Sequence, residues 1–155
     1  MAVHVSAEDF DISHEVAKLT ADDLAIGGVA IFVGRVRTVA SGPALVSMTL
    51  EHYPGMTEGE LERIEIEART RFRLSASRIV HRVGELKPGD NIVLVIACAP
   101  HRQDAFAGAE YLMDYLKTRA PFWKKEAFTD GSYRWVEARE SDEDAALAWT
   151  SKAPG

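Results

Sequence analysis

The sequence predicts an α+β fold in which a mainly antiparallel sheet packs against helices, and three observations predict it. Gly27–Arg37, Leu45–Tyr53 and Asn91–Ala99 are short runs rich in β-branched and apolar residues, bounded by Gly, Pro or charged clusters, as buried strands are. Arg78–Val83 and Asn91–Ala99 are separated by the turn-forming Gly84-Glu-Leu-Lys-Pro-Gly-Asp90, so a hairpin is the economical interpretation. After Pro100, apolar side chains recur at helical spacing at Ala105, Phe106, Ala109, Leu112, Met113 and Leu116, which makes that face of a long helix part of the core.

The remaining elements follow in chain order. Ala2–Ser6 reads as a short strand and Ser13–Thr20 as a short helix with Ser13 as its N-cap. The strand from Gly27 emerges into Arg35 and Arg37, whose shared parity sends both to one face. Thr38–Pro43 is a polar loop, and the strand after it is expected to pair antiparallel with the first at this basic end. Thr57 and Glu60 have capping-box spacing before the apolar run Leu61, Ile64, Ile66 and Ala68, and the glutamates early and arginines late in this helix suit its dipole. Pro121 closes the long helix, because it disfavours helical geometry at Ala120 and donates no backbone hydrogen bond. Lys124–Phe128 and Tyr133–Ala138 are strands joined by Thr129-Asp-Gly131, and a last short helix runs to Trp149 with Ser141 as its N-cap.

Bulk properties narrow the function. A chain of 155 residues without linkers or repeats is expected to form one domain over 1–155. The net charge of −6 argues against a general nucleic-acid binder, so an anion site has to be a local basic pocket. Cys98 is the single cysteine and lies in an apolar run, which points to a buried thiol and a reducing compartment. With neither a leader pattern nor a long apolar stretch, a cytoplasmic location is expected, with no membrane partner. The five histidines are scattered without paired ligand spacing, so no metal is expected. Nucleophile-elbow, P-loop and dinucleotide fingerprints are likewise missing.

What remains is a set of cations at element ends. Lys117 falls in the last turn of the long helix and Lys124 opens the strand beyond Pro121, so a chain that folds back there puts two ammonium groups in one neighbourhood. Two partly buried lysines imply an anionic ligand or a lysine of lowered pKa; two exposed ones are a solvated helix end. Arg35, Arg37, His101 and Arg102 complete the set. Guanidinium groups grip phosphate bidentately, whereas a desolvated ammonium can move a proton or form an adduct. His101 and Arg102 begin the long helix, so they lie about 20–25 Å along its axis from Lys117. The site is therefore elongated, or a second chain contributes, or these residues serve different jobs.

Five motifs, in order, carry a resemblance: Phe32-Val-Gly-Arg-Val-Arg37, Leu50-Glu-His-Tyr-Pro-Gly-Met56, His81-Arg-Val-Gly-Glu-Leu-Lys-Pro-Gly-Asp90, Ala99-Pro-His-Arg102 and Met113-Asp-Tyr-Leu-Lys-Thr-Arg-Ala-Pro-Phe-Trp-Lys-Lys-Glu126. Across about residues 27–149 the chain resembles the large, catalytic subunits of molybdopterin synthase. The resemblance implies an α/β hammerhead fold with an added small β-rich part, and a homodimer within a heterotetramer. It also implies a small ubiquitin-like sulfur-carrier subunit at each end. The carrier's C-terminal Gly-Gly thiocarboxylate would enter a pocket where cyclic pyranopterin monophosphate receives two sulfurs, one from each of two successive carriers, with no cofactor. By position, Lys117 matches the family's catalytic lysine and Lys124 its partner, while Arg37, His101 and Arg102 match the anion-binding set. Arg35 and Glu126 border matching positions as further substrate contacts. Thr38–Pro43 and the tail after Trp149 follow no family pattern, and Lys125 stands where arginine is also familiar. A non-catalytic phosphate- or pterin-binding module, or a scaffold of the same pathway, is the competing interpretation of the same cations.

Overall fold

Strand β6 (Asn91–Ala99) is the centre of the fold, buried along nearly its whole length. A computed structural model describes residues 2–38, 41–136 and 140–151. In it β6 is flanked by β4 (Ala76–Arg82) and β2 (Gly28–Arg35), both antiparallel to it, and β1 (Val3–Ser6) adds to β4 in parallel. The resulting order is β1-β4-β6-β2.

Alternation along β6 explains its double burial. Val93, Val95, Ala97 and Ala99 point toward α2 (Met56–Phe72) and α3 (Arg102–Arg119), where they meet Leu61, Ile64, Ala68, Leu112 and Leu116. Leu94, Ile96 and Cys98 point the other way, into a smaller cluster with Ile12, Val16 and Leu19 of α1 (Ile12–Thr20). Side chains such as Leu112 and Ile64, with no exposed surface, each contribute about 2 kcal/mol by burial.

A second sheet, of order β5-β3-β7-β8, is built from β3 (Leu45–His52), β5 (Gly84–Leu86), β7 (Phe122–Phe128) and β8 (Tyr133–Val136), all antiparallel. Its own small core is Val36, Leu45, Leu50 and Leu86. The last helix, α4 (Glu140–Ala148), ends in a 3₁₀ turn that buries Trp149 against Phe72 and Tyr111.

This is the α+β, mainly antiparallel class that the sequence predicts, with several local differences. β2 and β3 are not partners: β2 pairs with β6, and β3 lies in the other sheet. Val36 donates to Asp90 O and Gly89 donates to Val36 O, so the end of β2 is held by the 87–90 turn and the chain crosses to the second sheet beyond it. Residues 39 and 40 of the intervening loop lie outside the described residues. Gly84–Leu86, expected as turn, forms a three-residue edge strand on β3. Asp11, not Ser13, caps α1 by accepting from His14 N.

At α2 the box is shifted by two residues: Glu58 accepts from Gly55 N, while Thr57 accepts from Tyr53 N and donates to Pro121 O. Ile66 and Phe106 fall on exposed helix faces, 54% and 65% accessible, because each core stripe is narrower than the apolar pattern. The side chain of Ser141 and residues 137–138 of the expected last strand lie outside the described residues.

Candidate functional site

The site is assembled where α3 turns into β7. Helix α3 ends at Arg119, Ala120 is extended (φ −76°, ψ 128°), and Phe122 N donates to Ala120 O. The buried Thr57 hydroxyl fastens this corner from outside through Pro121 O, at 3.0 Å. Lys117, in the last turn of α3, and Lys124, the third residue of β7, then line one cavity of about 440 Å³.

Arg35, the last residue of β2, and Arg37 just beyond it line the same cavity, while the intervening Val36 is buried in the second core. This is the parity expected from sequence. Arg35 is pre-oriented, because its Nε and Nη2 donate to Gly89 O at 3.2 and 2.8 Å. Glu126, nearly buried, also lines the cavity and accepts from Arg134 Nε at 2.8 Å across the β7–β8 pair. That carboxylate is therefore already matched by a guanidinium. The cavity presents two lysines and two arginines outside this ion pair, with Asp142 at its edge.

Electrostatics follow from burial. Desolvation pushes the Lys124 ammonium down to about 8, and the charge of neighbouring Lys117 pushes the same way, against Asp142 and Glu126. A lysine in this range exchanges its proton near neutral pH. His81 on β4 lines the cavity too; burial, then the two lysines, hold it neutral at about 3, against the opposing pull of its bond to Arg82 O. Its ring stacks on Phe122 at 3.8 Å and 16°.

Of the residues singled out from sequence, the structure brings together Arg35, Arg37, Lys117, Lys124 and Glu126. His101 and Arg102 do not join them within one chain. They start α3, both exposed, beside the beginning of β2, where a Cβ on Gly28 would stand 3.2 Å from Arg102 Cα. From residue 102 to 117 the helix rises about 22 Å at 1.5 Å per residue. His81, Phe122, Arg134 and Asp142 were missed as site residues. Strand parity with Ile79 would have placed His81 on the helix-facing side, and parity with Val136 would have placed Arg134 facing the cavity.

A second cleft, of about 450 Å³, lies between α1, α2 and β4, and its two carboxylates are paired internally. The buried Glu65 is held by Arg69 at 2.6 Å and by Ser77 Oγ at 2.6 Å, and Glu15 is held by Arg78 at 2.9 Å.

Known proteins share this sequence and fold. The family model described as MoaE protein matches residues 5–119. The molybdopterin synthase catalytic subunit of Mesorhizobium japonicum is 49% identical over 152 residues, covering 97% of this chain and 94% of that one. Among solved structures, the molybdopterin biosynthesis MoaE protein of Burkholderia ambifaria superposes with a TM-score of 0.83 at 50% identity, covering 98% and 100% of the two chains. Molybdopterin synthase from Staphylococcus aureus gives 0.81 at 29% identity over 88% of this chain and 97% of that one. A Helicobacter pylori structure, a protein–protein complex of subunits 1 and 2 of the molybdopterin-converting factor, gives 0.70 at 18% identity, covering 90% and 92%; that likeness speaks to the fold alone. With the family model spanning most of the chain and near-full-length relatives at half identity, the chain belongs to the MoaE protein family.

Proposed function

We propose that this chain, acting as one domain, is the catalytic subunit of a molybdopterin synthase in molybdenum cofactor biosynthesis. It transfers sulfur from the thiocarboxylated Gly-Gly terminus of a small ubiquitin-like carrier to cyclic pyranopterin monophosphate, twice, to make the dithiolene. The observation that carries this reading is the convergence of Lys117 and the desolvated Lys124 with Arg35 and Arg37 on one cavity. The arginines bind the substrate phosphate. Lys117 polarises the thioester carbonyl formed once the carrier's sulfur has attacked the pterin, so that water cleaves the acyl–sulfur bond and the carrier leaves as its carboxylate with the sulfur kept on the pterin; Lys124 stabilises the developing negative charge and returns a proton. Glu126, neutralised by Arg134, fixes the floor of the cavity.

His101 and Arg102 enter this mechanism from a second copy of the chain. β2 is an edge strand, bonded only to β6 within its sheet, and it exposes Val29, Ile31 and Phe32. One end of that edge carries Arg35 and Arg37; the other lies against Arg102. An antiparallel meeting of two such edges about a two-fold axis brings the partner's start of β2 to the cavity end of this one, and the α3 entrance travels with it. A homodimer carrying one sulfur carrier at each end is the assembly this reading requires. A cytoplasmic setting is supported by the lone buried thiol, Cys98. Among the described residues no helix is long and apolar enough to cross a membrane.

The test is reconstitution with thiocarboxylated carrier and cyclic pyranopterin monophosphate, comparing the natural chain with Lys117→Ala. Product from the natural chain and none from the variant is the expected result. Substrate binding without sulfur transfer would favour a pterin-binding module instead.

A further inference from the structure

His81 is the buried polar group of the cavity that the mechanism above leaves without a task. It is 2% exposed, and it sits on β4 on the same side as Ile79, facing the end of α3. Two of its contacts fix it completely. Phe122 covers one ring face at 3.8 Å. Nδ1 stands 2.7 Å from Arg82 O, and because a carbonyl only accepts, Nδ1 carries the proton.

The tautomer is thereby set, and Nε2 is left with a bare lone pair. Among the described residues nothing donates to it, although the ring borders the cavity. Burial and the nearby charges of Lys124, Lys117 and His52 keep the ring from taking up a second proton, which would turn this acceptor into a donor. Other candidate acceptors around the cavity are charged or engaged: Glu126 is bound to Arg134, and Asp142 is a carboxylate. An acceptor that borders the cavity is open to a donor from water or from a bound ligand.

We propose that His81 is a specificity residue of this cavity, its Nε2 accepting a hydrogen bond from an N–H or O–H on the ring system of the bound substrate. The inference rests on the pterin reading above, since a pterin offers such donors on its edge. The cations grip the phosphate and are indifferent to what is attached to it; His81 reads the heterocycle. A site that hydrogen-bonds a substrate N–H rejects ligands that lack it, because its own acceptor is then stranded.

The experiment measures binding of cyclic pyranopterin monophosphate and, separately, of inorganic phosphate to the full chain and three variants, with thermal unfolding as the check on folding. His81→Asn keeps a donor toward Arg82 O and loses Nε2. His81→Phe keeps the ring on Phe122 and loses both nitrogens. His81→Gln restores an acceptor near the Nε2 position. His81→Asn and His81→Phe are expected to weaken pterin binding about 10- to 100-fold while phosphate binding stays unchanged, and His81→Gln to recover most of the loss. Wild-type pterin affinity in a folded His81→Asn overturns the proposal, as does an equal loss of pterin and phosphate, and so does failure of all three variants to fold, which would make His81 a packing residue. If the natural chain binds phosphate but no pterin, the substrate reading falls and takes this one with it. If the natural chain binds pterin and the variants are indifferent, this inference alone fails.

Discussion

Lys117 and Lys124 belong to different elements, the last turn of α3 and the third residue of β7, yet the extended Ala120–Pro121 corner turns both side chains onto one cavity. One is exposed and the other half-buried. That asymmetry divides their work. In the proposed mechanism the exposed ammonium is the one that meets an incoming chain terminus, while the half-buried one is desolvated and pushed down to about 8.

Lys117→Ala is expected to lower the rate of sulfur transfer by about 100-fold or more while leaving the fold and carrier binding intact, since the side chain is exposed and its role is confined to the reacting acyl group. Single-turnover product formation together with carrier titration reads both. A near-normal rate would remove Lys117 from the mechanism.

Lys124 supplies a pH signature. With the ammonium pushed down to about 8, the charged form that stabilises anions is lost as pH rises through that value, so kcat/KM is expected to fall across a limb near pH 8. Lys124→Arg keeps the charge at every accessible pH and moves the limb away. A profile flat through pH 8 in the natural chain would contradict the assignment.

The same lysine costs stability. Its folded pKa lies below the ordinary 10.5, so the unfolded chain holds the proton more tightly, and stability rises with pH between about 8 and 10.5. Lys124→Met removes that cost. At 1.36 kcal/mol per tenfold the full span is about 3 kcal/mol, which solvent at the cavity mouth reduces to about 1–2 kcal/mol. Urea unfolding at pH 7 is expected to show the variant more stable by that amount, with the gap closing above pH 10. A destabilised variant at pH 7 would mean that the buried charge is better compensated by Asp142 and Glu126 than burial suggests.

Arg119 fastens the end of α3 to α2, donating to Glu60 at 2.9 Å and to Glu67 at 2.8 Å. The Arg119 hydrogen bond, foremost, holds the Glu67 carboxyl below its ordinary 4.5. For a depressed carboxylate the contribution is complete above the unfolded value and is lost as pH falls through the folded one. Arg119→Ala is expected to cost about 1 kcal/mol at pH 7, given the partial exposure of both partners, and to flatten the acid limb of stability below pH 4.5. Equal acid sensitivity in variant and natural chain would show the pair to be energetically silent.

Much of this was legible in the sequence, for identifiable reasons. Pro121 announced the corner because proline acts locally, through its own φ and the residue before it. Arg35 and Arg37 were placed on one side by strand parity alone. The pairing of β2 was not legible, because pairing is a long-range choice, settled here by β6 taking β2 along one edge and β4 along the other. Ile66 and Phe106 misled for the opposite reason: they match the helical period, but burial depends on how much of the helix surface the sheet can cover. His81 was passed over because a histidine inside a strand looks like a core residue; its meaning depends on Phe122, Arg82 O and two lysines that only the fold brings to it.

The separation of Arg102 from Lys117 along α3 leads to the last prediction. If each active site takes Lys117 from one chain and His101 and Arg102 from the other, Lys117→Ala and Arg102→Ala chains are each inactive alone yet complement when mixed. A mixed dimer contains one site with both substitutions and one site with neither. Random exchange makes half the dimers mixed and leaves half of their sites intact, so about a quarter of natural activity is expected. Ile31→Lys, which places a charge on the exposed β2 edge, is expected to lower dimer stability in sedimentation and to abolish the complementation. If the mixture stays inactive while dimers exchange, His101 and Arg102 do not serve the partner's cavity, and the cations of that cavity have to hold the substrate phosphate unaided.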